Sequence, residues 1–253
     1  MELHYRKMGE GKPLFILHGL FGSSDNWQTH AKKLSEYFTV YLIDQRNHGH
    51  SPWSDTFNYP TLANDLQKVV EKEGIEEAIF LGHSMGGKTV MHYAQKHPEK
   101  VSKLIVVDMG IKGYPIHHDT IIEGLQSLDL NKISSRGEAE EALSTYIDNW
   151  SIRQFLLKNL YWVEKGKLGW RINIPVLSDS MNEIVAPLPA GEVMIETLFM
   201  RGGQSNYILE EDKEAILEQF PLAKIYSIEK AGHWIHAEAP EEFLETVIGF
   251  CLR

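Results

Sequence analysis

The sequence predicts an α/β protein with a mostly parallel central sheet that is flanked by helices. Up to Val107, short apolar runs alternate with amphipathic helical segments. Continuous apolar runs of this kind are typical of parallel strands that helices cover on both faces. A G-x-S-x-G pattern also stands between one such run and the next helical segment. From Gly110 to Ala190 the alternation stops, which predicts a helical insertion in the sheet.

The composition is that of an ordinary globular domain, with 253 residues, 43% hydrophobic and 24% charged. A formal net charge of -10 argues against nucleic acid or an anionic membrane as a partner. Cys251 is the single cysteine, so an intrachain disulfide is excluded. The first residues lack the apolar core of a secretory signal, and no apolar run is long enough to cross a membrane. We therefore expect a cytoplasmic protein.

The part of the chain before the insertion is predicted to alternate between strands and helices. The predicted strands are Leu3–Met8, Pro13–Leu17, Thr39–Ile43, Ala78–Leu81 and Val101–Val107. The predicted helices are Asn26–Phe38, Thr61–Lys72 and Met85–His97. Residues 44–51 are expected to form a loop.

The remainder divides into the insertion and a return to the sheet. No buried strand is expected between 110 and 190, which is helical in character, with amphipathic stretches at Thr120–Leu128, Glu138–Trp150 and Ile152–Tyr161. Beyond it we predict strands at Thr197–Met200 and Lys224–Ile228 and helices at Glu211–Phe220 and Pro240–Cys251. We accordingly divide the chain into a core (1–110 and 191–253) and a helical cap (111–190).

Ser84 is the predicted nucleophile. It is the central residue of the G-x-S-x-G pattern, with an apolar strand before it and a helix after it. The glycines on either side allow the backbone to double back and expose the hydroxyl. The amides at the start of the following helix give the reacting centre a partial positive charge.

His233 is the predicted base. In a Ser-acid-His arrangement on such a sheet, the histidine follows the last strand, where His233 stands. We expect His236 to serve packing or solvent contact, and His83 to point away from the reacting centre. His48 and His50 are interpreted as turn residues rather than ligands.

No metal or cofactor is expected. His117, His118 and Asp119 form a run that suggests metal binding, but further ligands at a recognisable spacing are missing. The predicted chemistry needs only side chains and backbone amides.

The acid that orients the histidine departs from the usual pattern. After the strand that follows the insertion, Ser205 stands where an aspartate is expected. A neutral hydroxyl does not stabilise an imidazolium as a carboxylate does. Asp108 is the best substitute, because it ends the strand after the nucleophile's own and should lie on the same rim of the sheet. Ser205 then becomes a supporting hydrogen-bond partner. Weaker alternatives are Asp179, Glu210 and Asp212.

Two backbone amides are expected to form an oxyanion hole. One belongs to Met85, directly after the nucleophile. The other belongs to the His-Gly-Leu-Phe-Gly loop after the second predicted strand, where Leu20 is the first choice and Phe21 the second.

These motifs resemble those of the α/β-hydrolase superfamily over essentially the whole chain, and in particular those of small abhydrolase-type esterases, some with acyl-CoA thioesterase activity. The matching segments are His18–Trp27, Asp44–Ser51, Gly82–Lys88, Leu198–Ser205 and Ala231–Ala237. Members of this subgroup are similar in carrying serine at the usual acid position, and some use an aspartate after the strand that follows the nucleophile's. The resemblance supports Asp108 as the acid.

The resemblance implies an α/β-hydrolase fold with a helical cap inserted after the sixth strand. It also implies a lipophilic acyl pocket in the cap, for which the candidates are Tyr146, Trp150, Phe155, Leu156, Leu157, Leu160, Tyr161 and Trp162. The expected function is cofactor-free hydrolysis of small carboxylic esters or thioesters, with acyl-CoA among the substrates considered, by a monomer or homodimer. The alternatives are carbon–carbon bond hydrolysis, perhydrolysis and a non-catalytic binding protein.

Overall fold

The centre of the computed structural model, which describes residues 1–116 and 118–253, is a seven-stranded sheet. The described residues form nine strands, of which β6 and β7 pair with each other outside this sheet. They are β1 (Tyr5–Met8), β2 (Lys12–Leu17), β3 (Phe38–Ile43), β4 (Ala78–His83), β5 (Val101–Val107), β6 (Leu160–Glu164), β7 (Lys167–Trp170), β8 (Thr197–Gly202) and β9 (Ala223–Ile228). The sheet has the order β1-β3-β2-β4-β5-β8-β9, and only β1 runs antiparallel to its neighbour. The predicted mostly parallel α/β architecture is confirmed.

Helices cover both faces of this sheet and fill the insertion. They are α1 (Gln28–Leu34), α2 (Tyr59–Lys72), α3 (Met85–Lys96), α4 (Asp119–Ser127), α5 (Arg136–Ser144), α6 (Trp150–Leu157), α7 (Ile174–Asp179), α8 (Met181–Ile184), α9 (Lys213–Gln219), α10 (Ile235–Glu238) and α11 (Pro240–Cys251). Within the described ranges, none of these helices has the length and apolarity to cross a membrane.

The apolar strands divide their side chains between two cores. Phe80 of β4 packs into one cluster with Phe15 and residues of α2 and α3, whereas Ile79 and Leu81 face a second cluster beneath α1 and α11. Because successive side chains of a strand point to opposite faces, an unbroken apolar run must bury both. Because β2, β4 and β5 run parallel, their carboxyl ends lie at the same rim of the sheet. The predicted site residues in the loops after these three strands therefore meet at that rim.

The insertion packs around a third cluster, which includes Leu143, Leu156 and Leu177. It is not all helical as expected, since β6 and β7 form an antiparallel hairpin. The predicted helix over 152–161 ends at Leu157, and the following Leu-Tyr-Trp-Val sequence suits a strand. Gly166 has φ 82°, a conformation that permits the tight turn of the hairpin.

Two further expectations about the insertion are wrong. Only five strands precede it, not the six that the resemblance implies, because the chain offers only five apolar strand-forming runs before Gly110. The helix predicted over 138–150 ends at Ser144, and a new helix begins after Asn149. The Asn149 side chain accepts hydrogen bonds from the amides of Ser151 and Ile152, so it caps the new helix and separates the two.

Lys88 of α3 joins the core to both ends of the insertion. Its Nζ donates to the carbonyls of Lys112 at 2.8 Å and Ala186 at 2.7 Å, and more weakly to Ile111 at 3.3 Å. The side chain is fully buried, and desolvation lowers the pKa of Lys88 to about 7. The helix that begins beside Ser84 therefore holds the two chain crossings between core and cap together.

Candidate active site

Ser84 lies on a sharp turn between β4 and α3. Its backbone has φ 54° and ψ -120°, a strained conformation for a residue with a side chain. The turn demands glycine on both sides, since a Cβ at Gly82 would lie 2.1 Å from the Gly86 carbonyl oxygen. A Cβ at Gly86 would lie 2.4 Å from the Leu17 carbonyl oxygen. The glycines let the Ser84 hydroxyl stand at the rim of the sheet.

The structure brings Ser84, His233 and Asp108 together in one hydrogen-bonded row. His233 Nε2 is 3.0 Å from Ser84 Oγ, and His233 Nδ1 is 2.7 Å from Asp108 Oδ2. Because a carboxylate only accepts, Nδ1 carries the proton and Nε2 is free to accept from the Ser84 hydroxyl. This is the tautomer that a general base toward Ser84 requires.

Asp108 is fully buried and held from several sides. Its Oδ1 accepts the Gly202 amide at 2.9 Å, and its Oδ2 accepts the Ser205 hydroxyl as well as His233. Its φ of 48° is a left-handed backbone conformation, uncommon for a residue with a side chain. Ser205, at the position where an aspartate is usual, therefore touches the carboxylate supplied by the neighbouring strand.

The loop that carries His233 is fixed by two aromatic side chains. His83 Nε2 donates to the His233 carbonyl at 2.9 Å, so this nitrogen supports the loop and is not free to act as a base toward Ser84. Burial lowers the pKa of His83 well below its usual value, which keeps the ring neutral. Tyr207 stacks on the His233 imidazole with ring centroids 4.0 Å apart. The first contact restrains the backbone of the loop, and the second limits rotation of the imidazole.

The two residues predicted to supply the oxyanion-hole amides, Leu20 and Met85, both lie beside Ser84. The Met85 amide lies in the first turn of α3, where amides lack an acceptor within the helix. The Leu20 amide comes from the loop after β2, and in residues 1–116 and 118–253 neither amide has an acceptor. Leu20, Ser84 and Met85 line a common small pocket of about 20 Å³.

Unlike Leu20 and Met85, Phe21 has its backbone amide and carbonyl hydrogen-bonded to two side chains, neither of which the sequence analysis identifies. Its φ is 58°, its amide donates to His48 Nε2 at 3.2 Å, and its carbonyl accepts from Asn159 Nδ2 at 2.7 Å. His48 Nδ1 in turn donates to the Arg46 carbonyl at 2.9 Å, which leaves Nε2 as the acceptor. Burial lowers the pKa of His48 to about 3, so this acceptor persists at neutral pH. The Phe21 amide is therefore occupied, which favours Leu20 over Phe21.

A cavity of about 250 Å³, called here the main cavity, opens directly onto Ser84 and His233. The cap contributes apolar side chains to it, namely Ile121, Ile152, Phe155 and Leu156. A second space of about 640 Å³, the outer cavity, shares Asn26, Phe155, Trp234 and His236 with the main cavity. The outer cavity adds polar groups, including Lys158, Gln154 and Glu238.

Of the eight cap residues predicted to form an acyl pocket, Phe155 and Leu156 line the main cavity. Trp150 lines only the outer cavity, and Leu157 and Leu160 are buried in the cap's own core. Tyr146 and Trp162 are exposed, and Tyr161 packs against Arg171. The helical pattern identified an apolar cap but did not show which of its faces meets Ser84, because that depends on how the cap folds over the sheet.

The other acids and histidines considered lie apart from the row. Asp212 pairs with Lys112, and Glu210 pairs with Arg201 and Lys213. Asp179 lies in α7 of the cap, and His236 stacks on Trp27 at 4.2 Å, in agreement with a packing role.

Neither a metal nor a cofactor is assigned to the space at Ser84. Its lining includes the polar side chains of Ser84 and His233 together with those of His18, Asn26, His83, His118, Tyr207 and His236. His118 lines the main cavity, while His117 lies outside the described residues. The histidine and carboxylate side chains that come close enough to share an ion, within the described residues, are His4, Asp44 and His50.

Comparison with known proteins agrees with this architecture. Residues 12–127 match a family model described as alpha/beta hydrolase fold. A solved structure of a marine microorganism esterase superimposes with a TM-score of 0.96 at 43% identity and covers 98% of this chain and 99% of that one. Esterase YbfF of Escherichia coli is 35% identical over 93% of this chain and 91% of its own length. The sn-1-specific diacylglycerol lipase ABHD11 of Danio rerio is 37% identical over 96% and 79% respectively.

Proposed function

The chain belongs to the α/β-hydrolase family, and from this premise we propose that it hydrolyses small carboxylic esters or thioesters through an acyl-enzyme on Ser84. The observation that carries the proposal is the hydrogen-bonded row of Ser84, His233 and Asp108 beside an apolar cavity. The names of the similar proteins, two esterases and a lipase, support ester hydrolysis as the reaction.

In the proposed mechanism, His233 Nε2 takes the proton of the Ser84 hydroxyl as Oγ attacks the carbonyl carbon of the substrate. The resulting imidazolium is stabilised by the carboxylate of Asp108 across its 2.7 Å hydrogen bond. His233 then protonates the leaving alcohol or thiol, and an acyl group remains on Ser84. Water, deprotonated by the same nitrogen, releases the acid and restores the hydroxyl.

The negative charge of each tetrahedral intermediate is assigned to the amides of Leu20 and Met85. Both residues line the small pocket beside Ser84, and their amides have no acceptor in the described part of the chain, which supports this assignment. Donors that are already oriented toward the developing charge need no reorganisation during the reaction. An amide without an acceptor destabilises the free protein, and the oxyanion of the intermediate supplies the missing acceptor.

The acyl group is assigned to the main cavity and the leaving group to the outer cavity. At about 250 Å³, the main cavity is smaller than the ~300 Å³ at which pockets for drug-sized ligands begin, so it suits short acyl chains. The outer cavity is wider and carries Lys158, which suits a larger polar leaving group; acyl-CoA is among those considered. We further propose that the reaction needs no cofactor, that the protein acts in the cytoplasm, and that it is a monomer or a homodimer.

Substrate length tests this assignment. We expect kcat/KM for p-nitrophenyl butyrate to exceed that for the palmitate by at least about tenfold, since misfitting methylenes each cost about 1–3 kcal/mol. Leu156→Ala, which enlarges the main cavity, should shift the preference toward longer chains. Leu157→Ala is the matched control, because this neighbour is also buried in the cap but does not line the cavity.

Absence of turnover on every ester and on an acyl-CoA series would contradict the proposed function. A preference for palmitate in the native protein would leave the reaction intact and overturn the assignment of the acyl group to the main cavity.

His48 is proposed as a positioning residue for the oxyanion hole. In His48→Leu, Phe21 loses the acceptor of its amide, and the loop that carries Leu20 is free to shift. We expect kcat to fall by about 10- to 100-fold with little change in KM, less than the loss of an oxyanion donor itself. His97→Leu, at the far end of α3, should keep native kinetics. A folded His48→Leu variant with native kcat would refute this role.

A further inference from the structure

A second group of side chains with metal-ligating atoms lies where β1 meets the loop after β3. His4 directly precedes β1, and Asp44 and His50 belong to the loop of residues 44–51. The three side chains offer two imidazole nitrogens and a carboxylate oxygen, all within 4.8 Å of one another. His50 Nδ1 is 3.4 Å from Asp44 Oδ2, and the rings of His4 and His50 have centroids 4.8 Å apart.

The carboxylate of Asp44 is buried without a strong cationic partner. Its side chain has no exposed surface, and the only ion pair it makes within the described residues is the long contact to His50. The Ser24 amide donates to Oδ1 at 2.7 Å and the His50 amide to Oδ2 at 3.0 Å. These amides satisfy hydrogen bonds but do not neutralise the charge, and buried charges are usually paired or bound to metal.

The imidazoles complement this carboxylate. His4 and His50 each offer one imidazole nitrogen to the space beside the Asp44 carboxylate, and neutral imidazoles are the form that binds metal. Arg6, the nearby cation that acts on His4, is paired with Asp25 at 2.6 Å. The His50 side chain is 36% exposed, so an ion has a path from solvent.

We propose that His4, Asp44 and His50 form a binding site for a divalent transition-metal ion of the Zn²⁺ class. Two imidazoles and one carboxylate are a ligand set that Zn²⁺, Co²⁺ and Ni²⁺ accept, whereas Ca²⁺ and Mg²⁺ prefer oxygen ligands alone. A tetrahedral Zn²⁺ places its ligand atoms about 3.4 Å apart, which the Asp44–His50 pair already matches. Binding requires the His4 nitrogen to move closer to the other two ligand atoms, which now lie within 4.8 Å of it, and it leaves a fourth position for water.

The site joins the start of β1 to the loop after β3, two segments that the antiparallel pairing of β1 with β3 already brings side by side. Two hydrogen bonds also connect them, from the Asp44 amide to the His4 carbonyl at 3.0 Å and from the His4 amide to the Ser51 side-chain oxygen at 2.8 Å. A bound ion adds a link between the start of β1 and the loop that contains His48. The site lies outside the Ser84 row and does not depend on the proposed hydrolase activity.

Titration of tag-free, full-length protein with Zn²⁺ and with Co²⁺ tests the proposal. We expect one high-affinity ion per chain by calorimetry and a Co²⁺ visible spectrum of tetrahedral character. With free Zn²⁺ at about 100 times Kd, Tm should rise by about 5 to 10 °C. His50→Gln and His4→Gln should each weaken binding at least about tenfold, and His97→Gln, a histidine at the far end of α3, should bind as the native protein does.

Three results would overturn the proposal: failure of the native protein to bind either ion stoichiometrically, equal affinity in His50→Gln and His97→Gln, or a Co²⁺ spectrum that persists in His50→Gln. The last result would place the ion at other histidines, including those beside Ser84. Activity is not the readout, so loss of ester turnover neither supports nor refutes the site.

Discussion

Ser84→Ala is expected to lower kcat for p-nitrophenyl butyrate by about 10⁴- to 10⁶-fold while leaving KM within a few-fold of native. The hydroxyl is the only group of the row that can form the acyl-enzyme, whereas the cavity that binds the substrate is unchanged by loss of one oxygen. Steady-state kinetics on purified variant, with circular dichroism to show that it is folded, make the measurement.

Ser205→Ala is the matched control for this substitution, since it also removes a buried hydroxyl close to His233. It takes one donor from Asp108 and leaves the Gly202 amide in place, so a loss of about tenfold is expected. If Ser84→Ala retained more than about one-hundredth of native activity, the nucleophile would have to lie elsewhere.

The second large effect is expected for Asp108→Asn, which should lower kcat by about 10⁴-fold. The amide group offers an N–H toward His233, which favours the tautomer with its proton on Nε2, and that nitrogen then cannot accept from Ser84. The carboxamide also fails to stabilise the imidazolium. Kinetics between pH 6 and 9 make the measurement, because a tautomer defect persists over that range.

Glu210→Gln is the control for the loss of a carboxylate, since Glu210 follows β8 and pairs with Arg201 and Lys213 at the surface. It should keep native kinetics, because exposed ion pairs contribute little. A small effect of Asp108→Asn together with a large effect of Glu210→Gln would move the acid to the position after β8.

Several parts of this site could be predicted because local sequence dictates them. Gly82 and Gly86 indicate a tight turn in which a side chain at either position would clash with the backbone. Because this turn stands between a strand and a helix, the serine at its centre, Ser84, could be identified as the nucleophile. The order of the parallel strands then puts the residue after β5 at the same rim, so Asp108 could be named although the usual acid position holds Ser205. The structure places the two in contact, an arrangement that the sequence suggested only as support.

What could not be predicted depends on contacts between distant segments. Asn159 binds the Phe21 carbonyl across 138 positions of sequence, and nothing in the cap sequence marks it for that role. His48 was interpreted as a turn residue because its partner, the Phe21 amide, belongs to another loop. The β6–β7 hairpin was missed because short amphipathic runs fit a helix or a strand until tertiary packing decides between them.

The central claim is that Ser84 is an activated nucleophile. Labelling with a fluorophosphonate, followed by intact mass and peptide mapping, tests it most directly because the reagent needs the activated serine but not the correct substrate. We predict one adduct per chain, located on Ser84, with labelling abolished in Ser84→Ala and strongly slowed in Asp108→Asn. A folded native protein that stays unlabelled, or an adduct on another residue, would contradict the account and favour a non-catalytic binding protein on the same fold.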